Sequence, residues 1–374
     1  MKRKVVKRAG GPSALGVYIF AGGFTVGVSR HFNVRAHLED GEFGVATSRR
    51  NFPGMPIHTK PDEWPIKDYR GVDFVYANPP CAPWSVANFG GKNWKDDPRI
   101  SCFARVLDVV RESMPKVAVI ESVRGAFDRG REMMDKLASD AAALGYACDH
   151  LLTDAANHRV PQTRKRYFMV LRRVEIDWQA PGGEPLMAGQ ALRGIKPGRG
   201  DVATPMHVKL LKRSKPGERL AKVFDRTFPE KVAEAARKRE GAMRKVDRFE
   251  DFEAFKRASW ENRVIGRPSF LKYVVHPERP APAVTGGSHL FHWKEPRMLS
   301  VRETQVLCSY PPDFEFEGSV HDAHAQIGKA VMPLVGEWIA AQAKAGIKAG
   351  KRARAGKVRV VEVHRDRVEV RDAA

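Results

Sequence analysis

The sequence predicts an α/β fold, in which a doubly wound, mostly parallel sheet is interrupted in the chain by a smaller basic module. Three observations carry this reading. Short apolar runs rich in strand formers alternate with helical stretches from about residue 13 to residue 178. The same alternation returns at Arg297. Between the two, residues 179–296 are rich in Gly, Pro, Lys and Arg and keep little periodicity. The 374 residues suffice for two or three domains with a proper core.

In chain order, residues 1–12 are basic, end in Gly10-Gly11-Pro12 and read as a loose arm. Leu15 to Phe20 is a buried strand, and the glycine-bearing stretch Ala21 to Gly27 opens a helix. Val34 to Glu39 is a second strand ending in an acid. A strand, a glycine turn, a helix and a strand ending in an acid make a βαβ unit suited to a nucleoside-bearing cofactor. The glycines let backbone approach the ligand, and Glu39 is able to take both ribose hydroxyls. Val72 to Ala77 is the next strand, followed by Asn78-Pro79-Pro80-Cys81-Ala82-Pro83-Trp84-Ser85. The prolines stiffen this turn by fixing φ and restricting their predecessors. A polarisable nucleophile on a stiff loop at the carboxyl end of a strand suits covalent catalysis. Taken alone, the stretch fits a buried cysteine beside a proline turn equally well.

A helix follows over Ile100 to Ser113, stopped by Pro115. Val117 to Val123 is a buried strand with the carboxylate of Glu121 near its end. A helix from Asp128 to Leu144 ends at Gly145, and strands run over Tyr146 to Leu152 and Tyr167 to Leu171. Within the basic module, Pro229 to Lys245 is a strongly charged helix, either a solvated face or a DNA contact. Arg302-Glu303 starts a helix and Leu334 to Lys344 forms another. In the Lys/Arg/Ala-rich tail, residues 346–374, Lys357 to Asp372 alternates like a hairpin turning at His364-Arg365-Asp366.

Composition narrows the partners. A formal net charge of +21 and a pI near 10.0 call for an anionic partner, nucleic acid first and a membrane surface second. No apolar run approaches a spanning helix, and Met1-Lys2-Arg3-Lys4 is not followed by the apolar core of a secretory signal. Cys81, Cys102, Cys148 and Cys308 stand far apart without metal-ligand spacing. Free thiols in a reducing cytoplasm and no metal are expected.

Several motifs then fall in one order. They are Phe20-Ala21-Gly22-Gly23 with Gly27; Glu39, with Asn51-Phe52 further on; Asp62 with Trp64; Pro80-Cys81 with Ser85; Glu121-Ser122-Val123; and Gln162-Thr163-Arg164-Lys165-Arg166. Ser300-Val301-Arg302-Glu303 with Tyr310-Pro311-Pro312-Asp313-Phe314 comes next, then Gln326-Ile327-Gly328-Lys329-Ala330-Val331. In this order they resemble the cytosine-C5 DNA methyltransferase family, over most of residues 15–174 and 273–340. The resemblance implies a Rossmann-like cofactor-binding core over residues 13–178 plus 297–345. Residues 179–296 become a DNA target-recognition domain. It implies a monomeric enzyme on double-stranded DNA with S-adenosyl-L-methionine as donor. Phe20, Ala21, Gly22, Gly23, Glu39, Asp62, Trp64, Pro80, Lys329 and Ala330 are the expected donor contacts. Cys81 is the expected nucleophile toward cytosine C6, Glu121 the group at N3 and the exocyclic amine, and Arg166 the group that orients the base carbonyl. A free cysteine titrates at about 8.5, so the thiolate needs nearby positive charge, which Arg164 or Arg166 is able to supply.

Four positions depart from the family pattern. Phe20 stands where a glycine is usual, Ala82 where Gln is common, Ser122 where an Asn braces the Pro-Cys loop, and Lys329 where an Asn is usual. Lys329 carries the largest consequence. A second cation roughly 5 Å from a sulfonium costs about 3 kcal/mol at an effective dielectric of 20. A donor bearing a carboxylate, such as carboxy-S-adenosyl-L-methionine, turns that cost into a pairing and yields 5-carboxymethylcytosine. Two other readings stay open: a DNA-binding regulator that has lost catalysis, and a transfer-RNA methyltransferase with the same motifs.

Overall fold

The computed structural model describes residues 11–85, 94–200, 202–234, 272–286 and 290–373. The basic arm at residues 1–10 and most of the expected helix from Pro229 to Lys245 lie outside the described residues. The chain begins with β1 (Ser13–Val17), α1 (Gly23–Val28), β2 (Asn33–Leu38), α2 (Glu42–Asn51) and the short β3 (Ile57–His58). Next come β4 (Phe74–Ala77), α3 (Ser101–Ser113), β5 (Val117–Val123), α4 (Arg124–Asp128), α5 (Arg131–Ala143), β6 (Ala147–Asp154) and β7 (Lys165–Arg172). The basic stretch contributes α6 (Ala188–Ala191), α7 (Pro205–Leu211), α8 (Leu220–Thr227) and the paired β8 (Tyr273–Val274) and β9 (Leu290–Phe291). The chain closes with α9 (Val301–Leu307), α10 (Val320–Lys329), α11 (Pro333–Ala349), β10 (Val358–Val363) and β11 (Val368–Asp372).

One nine-stranded sheet organises the core, in the order β11-β10-β6-β7-β5-β4-β1-β2-β3. It is mostly parallel, but β7 runs antiparallel to both β5 and β6. All four residues of β4 are buried, as expected for a central strand covered on both faces. The alternation of side chains divides the core in two. Phe74, Tyr76, Val119 and Phe168 face one apolar layer with Phe24 and Ile339; Val75, Ala77, Ala118 and Met169 face the other with Phe103 and Leu137. Each Val, Leu, Ile, Phe or Met among them contributes about 1.5–3 kcal/mol on burial. A separate cluster of Leu210, Leu220, Val223, Phe224, Val274, Phe291 and Met298 supports the basic stretch.

Three expectations are corrected. The first strand ends at Val17, not Phe20, because Tyr18 and Phe20 take left-handed backbone angles, φ 49° and 52°. The helix expected from Asp128 to Leu144 begins three residues later, as α5, because Arg129 and Gly130 separate it from the preceding α4. A Cβ on Gly130 would lie 2.4 Å from Trp84 Nε1, so the break lets the turn after Cys81 pack there. Gly27, grouped with the cofactor loop in the sequence, instead lets α1 approach α11: a Cβ there would lie 2.3 Å from the Glu337 nitrogen.

The tail does form the hairpin, β10 and β11, and it docks as an extension of the main sheet. β10 pairs in parallel with β6, Val363 opposite Thr153. The dock is ionic as well as hydrogen-bonded. Asp149, wholly buried on β6, accepts from Arg359 at 2.8 and 2.7 Å and from Trp178 at 2.9 Å, and pairs with buried Arg172 at 2.9 Å.

Candidate active site

The site lies at the carboxyl ends of β4 and β5. Past β4, Cys81 sits at φ −91°, ψ 1° and starts a single helical turn, Ala82–Trp84. Trp84 anchors that turn. Its ring is fully buried against Phe103, 5.0 Å away edge-on, and Trp94, 5.8 Å away, while the Arg129 guanidinium donates to its carbonyl. Gly125 leaves room for this contact, since a Cβ there would lie 2.2 Å from the same carbonyl oxygen.

Glu121 is buried near the end of β5. The antiparallel register sets Arg166 of β7 opposite Val123, so Arg166 reaches Glu121 diagonally and pairs with it at 2.8 Å. The other carboxylate oxygen accepts from Asn78 Nδ2 at 2.6 Å. Burial pushes the Glu121 carboxyl above its ordinary range, opposed by Arg166 and Arg164. Burial also raises the Cys81 thiol, and the neighbouring Glu121 raises it further, while Arg166 and Arg164 act in the opposite direction. Cys81, Glu121, Arg164 and Arg166 therefore share one electrostatic neighbourhood.

Arg164 is committed differently from Arg166. Its buried guanidinium donates to the Val284 carbonyl at 2.5 Å, to Gly328 at 2.6 Å and to Ala330 at 3.4 Å. Gln162 adds to this clasp, accepting from the Val284 N–H at 2.9 Å and donating to the Leu307 carbonyl at 3.1 Å. Together they bind three returning segments of chain to the start of β7. Desolvation lowers the Arg164 pKa to about 10, with Arg166 adding to the shift.

The residues expected on the donor side gather at the neighbouring strand ends. Glu39, buried after β2, accepts from the Phe20 N–H at 2.7 Å and the Gly41 N–H at 2.8 Å. A carboxylate has about four acceptor sites, so Glu39 keeps acceptor capacity for a diol. Burial raises its pKa to about 7. Trp64 packs edge-on against Tyr18 at 5.2 Å and donates to the His58 carbonyl at 3.0 Å, forming an aromatic corner suited to a planar base. Asp62 stands apart: its side chain is 88% exposed and pairs with Arg105. Pro80 is exposed and Ala330 buried. Lys329, exposed at the end of α10, holds its ammonium 5.3 Å from the centre of the Phe20 ring. Ala21 is buried beneath this turn, and Gly22 and Gly23 are its next two residues, Gly22 at φ 73°. The buried carboxylate, the aromatic corner and the left-handed backbone turn at Phe20 and Gly22 fit a nucleoside-bearing donor.

Sequence reasoning missed Asn78, Tyr18, Gln162 and Arg129. Asn78 and Gln162 stood inside quoted motifs without an assigned task. Tyr18 was hidden by reading the strand as continuous. Ser122, buried with no hydrogen-bond partner for its hydroxyl, does not brace the loop; Asn78 ties the loop's base to β5 instead.

An α/β core with a thiol beside a buried, ion-paired carboxylate and a nucleoside-type corner fits the class of group transferases. The sequence profile described as C-5 cytosine-specific DNA methylase matches residues 18–345, and the chain belongs to that family of DNA cytosine-5-methyltransferases. It is 28% identical over 335 residues to the type II methyltransferase M1.HphI of Haemophilus parahaemolyticus, covering 86% of this chain and 83% of that one. Identity to the type II methyltransferase M.MthTI of Methanothermobacter thermautotrophicus is also 28%, over 87% of this chain and 94% of that one. Among solved structures, the Entamoeba histolytica methyltransferase EhMeth shares the fold with a TM-score of 0.59 at 13% identity, over 90% of this chain and 99% of that one. Among the described residues, no helix is long and apolar enough to cross a membrane.

Proposed function

We propose that this enzyme transfers a methyl group from S-adenosyl-L-methionine to cytosine C5 in double-stranded DNA, with Cys81 as nucleophile. The observation that carries the reading is the buried Glu121 carboxylate, held between Asn78 and Arg166 beside the Cys81 thiol. Cytosine C5 is too weak a nucleophile unaided. Addition of the Cys81 thiolate to C6 makes the ring an enamine, nucleophilic at C5. Glu121 delivers a proton to N3 as negative charge builds there, a task that suits a carboxyl raised by burial. Arg166 favours the thiolate and orients the base carbonyl; Arg164 adds charge while clasping the backbone. When bound, S-adenosyl-L-methionine supplies the electrophilic carbon. Tyr18 and Trp64 receive its adenine, Glu39 its ribose, and the turn from Phe20 to Gly23 its backbone-facing edge, with Pro80, Lys329 and Ala330 lining the side toward the base. Water then removes the C5 proton and Cys81 departs, restoring the ring.

C5 is out of reach inside a duplex, so the base is flipped into the site. Residues 179–296 act as the target-recognition domain, and the +21 net charge supplies salt-dependent backbone affinity. The test is incubation with duplex DNA and S-adenosyl-L-methionine followed by nucleoside mass spectrometry, with trapping on DNA containing 5-fluorocytosine. The expected products are 5-methylcytosine and a covalent adduct that Cys81→Ser abolishes; an adduct retained by Cys81→Ser refutes the assignment.

Lys329 favours a second reading, in which carboxy-S-adenosyl-L-methionine is the donor and 5-carboxymethylcytosine the product. Lys329 has no carboxylate partner among the described residues, which leaves its charge available to a donor carboxylate. Supplying each donor separately distinguishes the readings. Only 5-methylcytosine in both reactions sinks the second; a Lys329→Asn preference shifted toward the methyl donor supports it.

A further inference from the structure

The C-terminal hairpin lies beyond the family match, which ends at residue 345, yet it is built into the catalytic sheet. Its direction is informative. β5 ends at the active site, β7 runs back from it, β6 runs toward it, and β10 is parallel to β6. The register row Val363, Thr153, Arg166 and Val123 crosses four strands at one level. The turn after Val363 therefore emerges at the active-site end, level with the Arg166 that pairs with Glu121.

That turn is His364-Arg365-Asp366-Arg367; exposed Arg159 lies in the connection that follows β6, and exposed Lys165 opens β7. It is held firmly. Asn157 donates to the Val363 carbonyl at 2.9 Å, and the Gly182 N–H, where the chain leaves the core, donates to the Arg365 carbonyl at 2.8 Å. The buried Arg359–Asp149–Arg172 group fixes the strand below. The tip arginines meet only surface carboxylates: Arg365 pairs with Glu184, itself 90% exposed, and Arg367 with Glu369 and Asp366. Pairs of that kind are worth little and exchange readily for a phosphate.

We propose that this hairpin tip contacts the phosphate backbone of duplex DNA on one flank of the target base, through Arg365 and Arg367. The inference rests on the DNA reading above. Four strand steps of about 4.8 Å separate β10 from β4, which carries Cys81, a span of about 19 Å. At about 3.4 Å per nucleotide that reaches phosphates some five or six nucleotides from the flipped base.

The test measures binding rather than transfer, by fluorescence anisotropy on the full chain. Wild-type protein is expected to bind a duplex of about 24 base pairs roughly tenfold more tightly than one trimmed to about four pairs on the contacted flank. In R365A/R367A that gain disappears, and the slope of log affinity against log salt falls by about two. R365K/R367K keeps both. Ethylation interference on the unaltered protein gives the position independently, as blocked phosphates at five or six nucleotides on one side only. An unchanged length effect and salt slope in the alanine pair, or no interference at that distance, overturns the proposal. A protein that passes these tests yet transfers no group refutes the transfer reading alone.

Discussion

Replacing Glu121 with Gln separates the two tasks assigned to this carboxylate. The substitution is tolerated sterically, because Asn78 Oδ1 is buried without a partner and the Asn78 amide turns over to face the new amide. What the variant loses is the proton for N3 and the negative charge beside Cys81. Loss of a general acid costs about two to four decades in rate, or roughly 3–5 kcal/mol of transition-state stabilisation. The charge has the opposite effect on the thiol. Glu121 is the principal charge raising the Cys81 pKa, while Arg166 and Arg164 lower it. Without Glu121 the two arginines act unopposed, the thiolate fraction rises, and alkylation of Cys81 by iodoacetamide near neutral pH becomes faster. Single-turnover transfer and peptide-resolved alkylation, which distinguishes Cys81 from half-buried Cys102, measure both in one preparation. The reasoning is refuted if E121Q keeps turnover within tenfold of wild type, or if Cys81 alkylates more slowly than before.

Glu39 predicts a pH dependence of donor affinity. Ribose hydroxyls donate to the ionised carboxylate, but burial holds its pKa near 7 in the free protein, so binding expels a proton. Donor affinity should rise about tenfold per unit as pH climbs toward 7 and level off above it, as read by calorimetry from pH 5.5 to 8.5. The same raised pKa means that Glu39 contributes stability below its unfolded value near 4.5, lost as pH rises through about 7. Glu39→Gln flattens both profiles; a persistent affinity slope in that variant would locate the titrating group elsewhere. Arg164→Met should behave as loss of a clasp. It strands the Val284 and Gly328 carbonyls, which accept from Arg164 at 2.5 and 2.6 Å, at about 1.5–3 kcal/mol each. Urea denaturation should show a loss of about 3 kcal/mol or more, with donor affinity falling in parallel; a change below about 1 kcal/mol would deny the clasp.

The sequence was most legible where local pattern and chemistry coincide. The run Phe74–Ala77 and the strand Val117–Val123 are apolar enough to be central strands, and Cys81 and Glu121 stand at their ends for that reason. Contacts that depend on distant chain were hidden. Arg164 meets carbonyls 120 and 164 residues away, and nothing in its own motif separates a backbone clasp from a charge aimed at the thiol. The tail's alternation announced a hairpin but not its dock, which depends on Asp149, 210 residues earlier. The end of β1 was misread because apolar Tyr18, Ile19 and Phe20 extend the strand pattern while backbone angles at Tyr18 and Phe20 end it. Asp62, expected as a donor contact, is exposed and paired with Arg105, a contact its own motif does not reveal.

Two departures from the family pattern, Phe20 and Lys329, are 309 residues apart in sequence and touch in space. The Phe20 N–H is bound to Glu39, so the ring that seats the Lys329 ammonium belongs to the turn that Glu39 holds. The magnitudes decide what this seat does. A cation–π contact at an exposed site is worth about 0.5–1 kcal/mol. A second cation roughly 5 Å from a sulfonium costs about 3 kcal/mol at an effective dielectric of 20. The ring therefore orients the ammonium without cancelling its charge, so in the carboxylated-donor reading proposed above Lys329 acts through both its charge and its position. Changing Phe20 alone alters the position and leaves the charge, whereas changing Lys329 removes both. Donor selectivity that follows Lys329 but not Phe20 is then a matter of charge, and selectivity that follows both is a matter of where the charge is held.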